Sequence, residues 1–595
     1  MRNHGNAKPF LGKRQILTLV LLAAGICLAW PARFHHPIEW IALIIALAFC
    51  LIEPLSRRAA LAAIRFHRFA RKHRFALAIL SGLLVFSYLL IQVERNRGQI
   101  LLRIHDEHSY RIQSQMLARG MLWRSAYPSE ISPFFDTFHV IVDRVYASIY
   151  FPGAAMLMAP SIWLRLPYWI TPLACGATSA GIFFLVAAEL FGPLRALLAV
   201  LMLLSLKFFR WMDFMLMSET PFLLMAMVLI WAWLRWRRKK NIFWAMGMGA
   251  AAGWAMITRP LDAVCFSAAI GGAIAFELRR RPISLVKTTL TIAAAATPFL
   301  AVQIIQNIGV TGDWLQSPME YYIRQNYPAP PMGFVQADLK NLPSNLSLPK
   351  RAFAASWMNL YAEHTLSHVL KTWYRVRFAQ LKTDTLPTAA IAALLPLALA
   401  AGWDIRRVTI VAIVALDLVA YLDYIFPFDQ YLVAVMPGMI CIVLMGWEAL
   451  ERAWPAWRRR IAALISPILI ACALAAIPGF TRADAQMPDL CRPAKQIDDD
   501  LASLRDPSVV LFPFDNSPGA IDWYPVFNDS AAWPDDAQIV RANDLGDPQN
   551  AMLFDYYART QPWRQFYRYD PGANDSHHLK FLGTATDLAA NHASR

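Results

Sequence analysis

Two carboxylates, Asp106 and Glu107, stand between two histidines, His105 and His108, directly after a long apolar run. A carboxylate so placed can take the proton from a hydroxyl nucleophile as a new C–O bond forms. The same four side chains can be read as ligands for a divalent metal. So can Glu363, His364 and His368, whose histidines are one helical turn apart. Neither group completes a signature such as H-E-x-x-H, so loop histidines are the default and no cofactor is expected to be required. Other groups able to bind or react are Glu219 in "FMLMSETPF", Arg259 and Asp262 in "ITRPLD", and Tyr321, Tyr322 and Arg324 in "SPMEYYIRQNYP". Asp423, Asp429, Gln430 and Tyr431 in "LDYIFPFDQYL" complete the set. Whether they meet depends on how the chain is threaded.

The chain has 595 residues, 57% hydrophobic and only 16% charged, with 21 Trp and 34 Phe. Soluble domains carry about 25% charged residues. Several apolar stretches approach the roughly 20 residues that cross a bilayer as a helix. They are continuously apolar rather than alternating, which excludes a barrel. An all-α polytopic membrane protein is expected. The net charge of +16 divides unevenly: residues 480–595 hold 17 Asp, no Glu and 10 Lys or Arg, a net of −7. The basic excess sits in short clusters between apolar runs, as the positive-inside rule predicts, and a nucleic-acid partner is not needed to explain it. Of the seven cysteines only Cys491 lies in a polar segment, so no disulfide framework is expected.

The basic N-terminus (Arg2, Lys8, Lys13, Arg14) predicts a cytoplasmic start and a retained first span. Thirteen spans are expected, at about 15–31, 37–55, 75–94, 168–190, 194–211, 215–235, 242–258, 261–278, 284–308, 386–402, 407–425, 428–447 and 460–478. The apolar stretch 150–167, interrupted by Pro160 and Arg165, reads as a juxtamembrane helix rather than a span. "RWRRKK", "RRR", "IRR" and "WRRR" then all face the cytoplasm. The chain divides into three N-terminal spans (1–94), a first outer loop with juxtamembrane helices (95–167) and a central bundle (168–308). A long outer loop (309–385), a second bundle (386–479) and a small α/β soluble domain (480–595) follow. The strand-like "SVVLFPF" and helix-compatible "PQNAMLFDYYART" suggest that last assignment.

With this threading, five separate segments contribute acids, bases or tyrosines at one depth, on the outer side. Ionisable groups near a membrane are costly and usually face a cavity or a partner, so a shared site is the economical reading. Each has an ordinary alternative. Asp106 can be a solvated loop carboxylate, Glu219 an acid favoured at a helix N-terminus with Ser218 as cap, and Arg259 a snorkelling residue.

The order of "DEHSY" with "LARG", "YASIYFPGAAMLM", "LFGPLRALLAVLMLLS", "MSETPFLL", "GMGAAAGWAMITRP", "NIGVTGDWLQSPMEYYIRQNYP" and "FDQYLVAVMPG" resembles the GT-C superfamily of membrane glycosyltransferases. Within it, the pattern is similar to the bacterial aminoarabinose transferases and protein mannosyltransferase-like enzymes, over roughly 95–570. The resemblance implies a GT-C fold in a bacterial inner membrane. It also implies inverting transfer of a sugar from a polyprenyl-phosphate donor to a lipid, glycan or protein acceptor on the periplasmic side. It makes Asp106 the expected general base; the chemistry of the reaction adds Glu107 and Glu219 as further catalytic candidates. Arg259, Tyr321, Arg324, Gln430 and Tyr431 are the candidates for holding donor phosphate and substrate. Two positions depart from the pattern: Phe151 precedes Pro152 where some relatives carry Lys, and Gln430 precedes Tyr431 where many carry His. Two spans precede the usual first one. The competing function is a transporter or flippase of a lipid-linked sugar. Such proteins usually place sites at mid-membrane and carry internal repeats, and no clear repeat is seen here.

Overall fold

The computed structural model describes residues 12–29, 41, 44, 46–47, 52–95, 102, 104–426, 428–485, 492–514, 521, 524–572 and 578–593. The protein is a predominantly helical, multi-pass membrane protein. Among the described residues six helices are long and apolar enough to cross a bilayer: Arg74–Arg95, Ile170–Phe191, Pro260–Leu278, Pro282–Thr311, Asp429–Ala453 and Pro455–Ile477. They coincide with six of the expected spans. Pro193–Ser205, Ile242–Met256 and Ile391–Ala400 are shorter apolar elements. The span expected at 386–402 is broken at Pro396 into two 3-10 segments, because proline removes the amide a continuous helix would use there. Those at 15–31, 215–235 and 407–425 fall on helices Lys13–Ala29, Glu219–Lys239 and Ile405–Ala420. The span at about 37–55 lies largely outside the described residues.

Small residues let the helices approach closely, as membrane interfaces without a hydrophobic drive require. Helices Arg74–Arg95 and Ile170–Phe191 meet at Gly82 and Gly181. A Cβ at Gly82 would lie 2.9 Å from the Ala177 carbonyl, and one at Gly181 2.8 Å from that of Ala78. The basic clusters gather at one end of the bundle. Glu189 pairs with Arg235 (3.4 Å) and Arg238 (2.8 Å), and Glu448 with Arg195 (2.8 Å) and Arg407 (2.5 Å). Glu219 and Arg235 belong to the same helix, so about 24 Å separates that end from the one where Glu219 sits.

At the Glu219 end the first loop forms helix His105–Ala118, a small antiparallel sheet and helix Pro152–Trp163. The sheet order is β1 (Arg124–Ser125), β3 (Val145–Ser148), β2 (Val140–Ile141). Helix His105–Ala118 starts with Asp106 and Glu107 in its first turn, where negative charge suits the helix dipole. It stops at Gly120, which takes φ of +73° at little cost. Beyond the bundle, β4 (Ser508–Phe512) is the fully buried centre of a second sheet, ordered β5 (Ile539–Asn543), β4, β6 (Gln565–Tyr569), β7 (Leu579–Thr584). Helix Asp547–Thr560 crosses between the parallel strands. Val509, Leu511, Val540 and Tyr557 share one apolar core with Tyr127, Phe134 and Phe135 of the first loop. The C-terminal sheet is therefore seated on that loop.

Candidate active site

Asp106 projects from the first turn of its helix onto His139. The His139 Nδ1 lies 2.8 Å from an Asp106 oxygen and 3.1 Å from the Tyr150 hydroxyl. One ring nitrogen carries at most one hydrogen. With Nδ1–H donating to Asp106, the Tyr150 hydroxyl also donates to the carboxylate, which thereby collects two donors. Burial pushes the Asp106 pKa up, but the His139 charge and hydrogen bond, with the Tyr150 hydroxyl, hold it below the ordinary carboxylate value. His139 is itself fixed: its backbone N–H donates to the Tyr322 hydroxyl at 3.0 Å, and Nε2 faces the Tyr327 hydroxyl at 3.4 Å. His139 takes a left-handed φ of 59°, a conformation a residue other than glycine keeps only where its surroundings impose it.

Glu107, one residue on, points elsewhere. Its carboxylate accepts from the Leu216 amide at 3.0 Å and from the Ile104 amide at 3.3 Å, and is 1% exposed. It fastens the helix N-terminus to the bundle. His105 donates from Nε2 to the Ile521 carbonyl at 2.7 Å, and burial pushes its pKa down to about 3, so the ring is neutral. His108 meets Asp529 at 2.6 Å. The other histidines considered as metal ligands are apart: His364 faces the Asp423 carbonyl at 3.0 Å and His368 is exposed. Among the described residues no three His, Cys, Asp or Glu side chains gather as a metal-holding group.

The second polar layer is built round Arg259. Pro260 opens a helix as its first residue, which leaves Arg259 just outside, at the N-cap. Its Nε donates to Asp262 at 2.9 Å, Nη1 to Glu219 at 2.8 Å and to Ser218 at 3.3 Å, and Nη2 to the Tyr421 hydroxyl at 2.7 Å. The guanidinium carbon lies 5.2 Å from the Tyr431 ring centre, and Tyr431 stacks on Tyr421 at 5.2 Å. Tyr421 in turn donates to Asp262 at 2.8 Å, and Asp417 hydrogen-bonds Asp262. Four contacts engage four of the five guanidinium N–H groups, leaving one on Nη2. Tyr110, hydrogen-bonded to Ser218 and stacked on Tyr150 at 4.3 Å, ties this layer to Asp106. Tyr424 lies within electrostatic reach of Arg259, Asp106 and Glu219 together.

Asp106, Glu219, Arg259 and Tyr431 are thus brought into one polar cluster, with Gln430 half-buried beside Tyr431. Tyr321 and Arg324 are not. The Tyr321 hydroxyl donates to Asp143 at 2.7 Å, and Arg324 pairs with Glu320 at 2.5 Å on the exposed side of helix Pro318–Asn326. Their neighbour Tyr322 is the residue of that segment that reaches inward, under Lys350, which pairs with Asp136 at 2.6 Å. Sequence reasoning missed His139, Tyr150, Tyr421, Asp417 and Lys350. Tyr150 stood in the quoted juxtamembrane segment; the others carry no spacing signal.

Residues 164–305, which hold Glu219, Arg259 and Asp262, match the model of the dolichyl-phosphate-mannose-protein mannosyltransferase family. Solved structures similar to this protein include ArnT from Cupriavidus metallidurans in the apo state, at 12% identity, 87% of this chain, 99% of that chain and a TM-score of 0.45. The same protein bound to undecaprenyl phosphate matches at 12% identity, 86% and 98% of the two chains and a TM-score of 0.48. The Archaeoglobus fulgidus oligosaccharyltransferase in complex with Zn and sulfate matches at 11% identity, 67% of this chain, 53% of that chain and a TM-score of 0.42. Among curated proteins none matches this sequence.

Proposed function

We propose that this protein is an inverting glycosyltransferase. It moves a sugar from a polyprenyl-phosphate donor to a cell-envelope acceptor at the periplasmic face of a bacterial inner membrane. The observation that carries the reading is the convergence of Asp106, whose carboxyl is held below its ordinary value, and a buried guanidinium, Arg259, in one polar cluster at the end of the bundle opposite the basic clusters. An acceptor hydroxyl is a poor nucleophile. Asp106 takes its proton as the oxygen attacks the anomeric carbon, on the face opposite the phosphate. The lipid phosphate departs with the bonding electron pair, and the remaining Nη2 N–H of Arg259 meets the charge it develops. Glu219 and Asp262 hold that guanidinium in place, and Gln430 and Tyr431 contact the donor beside it. The basic clusters at the far end, read by the positive-inside rule, support a position of this polar cluster on the outer side.

The test is sugar transfer by purified full-length protein in detergent, wild type against Asp106→Asn, with a pool of polyprenyl-phosphate sugars and envelope extract as the acceptor source. A loss of about a hundredfold or more with the fold retained is expected. Full activity in the variant would remove Asp106 as base. Transport of a lipid-linked sugar without transfer would favour the flippase reading instead.

A further inference from the structure

A cavity of about 200 Å³ lies between helix His105–Ala118 and the C-terminal sheet domain. Its volume corresponds to roughly six or seven waters at liquid density, the space of one sugar unit. Its lining combines apolar Ile104 and Ile497 with Arg111, Asp498, Asp529 and Arg541 and with Tyr168 and Tyr524.

The charges on those walls are already balanced. Arg541 donates to Asp498 at 2.6 Å, and Asp529 takes both His108 at 2.6 Å and Arg111 at 3.4 Å. Burial works against the Asp529 carboxylate, but Arg111 and then His108 hold it well below the usual range, so it is ionised at neutral pH. An anionic or cationic ligand would find no unpaired counter-charge here, and burying a charge unpaired is costly. Each guanidinium has five N–H donors and each carboxylate about four acceptor sites, so both ion pairs keep capacity for hydroxyl groups. Arg111 lies 5.0 Å from the Tyr168 ring centre, which leaves an aromatic face and a hydrogen-bonding edge side by side. Neutral polyols with one apolar face match that lining; lipid chains and phosphates do not.

The place matters as much as the lining. His105 borders the cavity and its ring centre is 6.1 Å from that of His139, the partner of Asp106. One imidazole, that of His105, therefore stands between the cavity and the His139–Asp106 pair.

We propose that this cavity is a saccharide subsite. It binds a neutral hexose or N-acetylhexosamine unit of the acceptor, one unit removed from the hydroxyl that Asp106 activates. The link to the acceptor rests on the transferase reading above; the binding of sugar does not.

The experiment is saturation-transfer NMR on the full-length protein in detergent, with chitobiose and cellobiose as probes. Ala494 forms part of the wall, and Ala494→Trp fills the space without removing a charge. Wild type is expected to bind at least one probe with an affinity near the millimolar range. Ala494→Trp should weaken binding by about tenfold or more, while hydrolysis of the polyprenyl donor continues. Asp498→Ala removes one edge of the site from a half-exposed position, and should weaken binding too even if the tryptophan variant does not fold. Absence of binding to both probes would overturn the proposal, as would binding undiminished by either substitution. Probe binding in a protein that transfers no sugar from any polyprenyl donor would uphold the subsite and sink the transferase reading alone.

Discussion

Replacing His139 by Asn tests the acid–base assignment most sharply. Asparagine tolerates the left-handed φ of 59°, so the backbone is not strained, but its amide is too short to replace the imidazole against Asp106. His139 supplies the two largest influences that lower the Asp106 pKa; burial, larger than either, pushes the other way. Loss of a partner at this distance moves a carboxylate by about one to three pH units, or roughly 1.4 to 4 kcal/mol. In wild type, Asp106 is ionised above its lowered value, so kcat/KM should be flat from neutral pH down to about pH 5. In His139→Asn the carboxylate titrates higher, so activity should fall on an acid limb displaced upward by at least about one unit and recover near pH 8. Linkage requires a matching change in stability. In wild type the depressed pKa stabilises the fold above the unfolded value of about 3.9, and that contribution fades as pH falls through the folded value. The variant lacks it at neutral pH. The assay is sugar transfer across pH 4.5 to 8, paired with thermal melting at the same points. A uniform drop in rate with the acid limb unmoved would refute the reasoning: His139 would then shape the pocket without tuning Asp106.

Glu107→Ala should cost about 2 kcal/mol in thermal or denaturant unfolding, because two amides lose their acceptor, and should lower kcat without moving the pH profile. Arg259→Met should destabilise by about 3–5 kcal/mol, since it strands Glu219 and Asp262 as neighbouring buried carboxylates; a loss under about 1 kcal/mol in the same unfolding assay would mean that the acids are already neutral. Asp529→Asn should lower the melting temperature at pH 7 by an amount that shrinks toward zero as the pH falls below about 4. A carboxylate held below its ordinary value stabilises the fold above its unfolded pKa of about 3.9 and loses that contribution as pH falls through the folded one.

Six of the spans and the polar end were legible because they rest on hydropathy, charge clusters and proline, which act locally. Pro260 fixed where a helix starts, and so where Arg259 projects; Asp106 and Glu107 marked a helix N-terminus by charge alone. What the sequence could not show is which of two adjacent acids faces His139. A helical step of about 100° separates them, and the choice is made by the Leu216 amide, 109 residues away. The same limit explains Arg324. Its type and position suited a phosphate contact, but the helix turns it outward onto Glu320 while Tyr322 takes the inner face. His139 was illegible for a different reason. Its role depends on a backbone conformation that only the packed loop imposes.

Asp106 sits on a short helix held from two directions. Glu107 anchors it to the membrane bundle through the Leu216 amide, and His105 and His108 anchor it to the C-terminal domain through the Ile521 carbonyl and Asp529. These flanking residues spend their polar groups on positioning, which leaves Asp106 to face His139 and Tyr150. A base must hold its distance to the nucleophile closely, since a misplacement of about 1 Å can cost about a hundredfold in rate. On a lone loop at the membrane surface that precision would be lost to chain motion. On the proposed reading the cluster of two acids and two histidines is one base and three fastenings, with the C-terminal domain holding two of them.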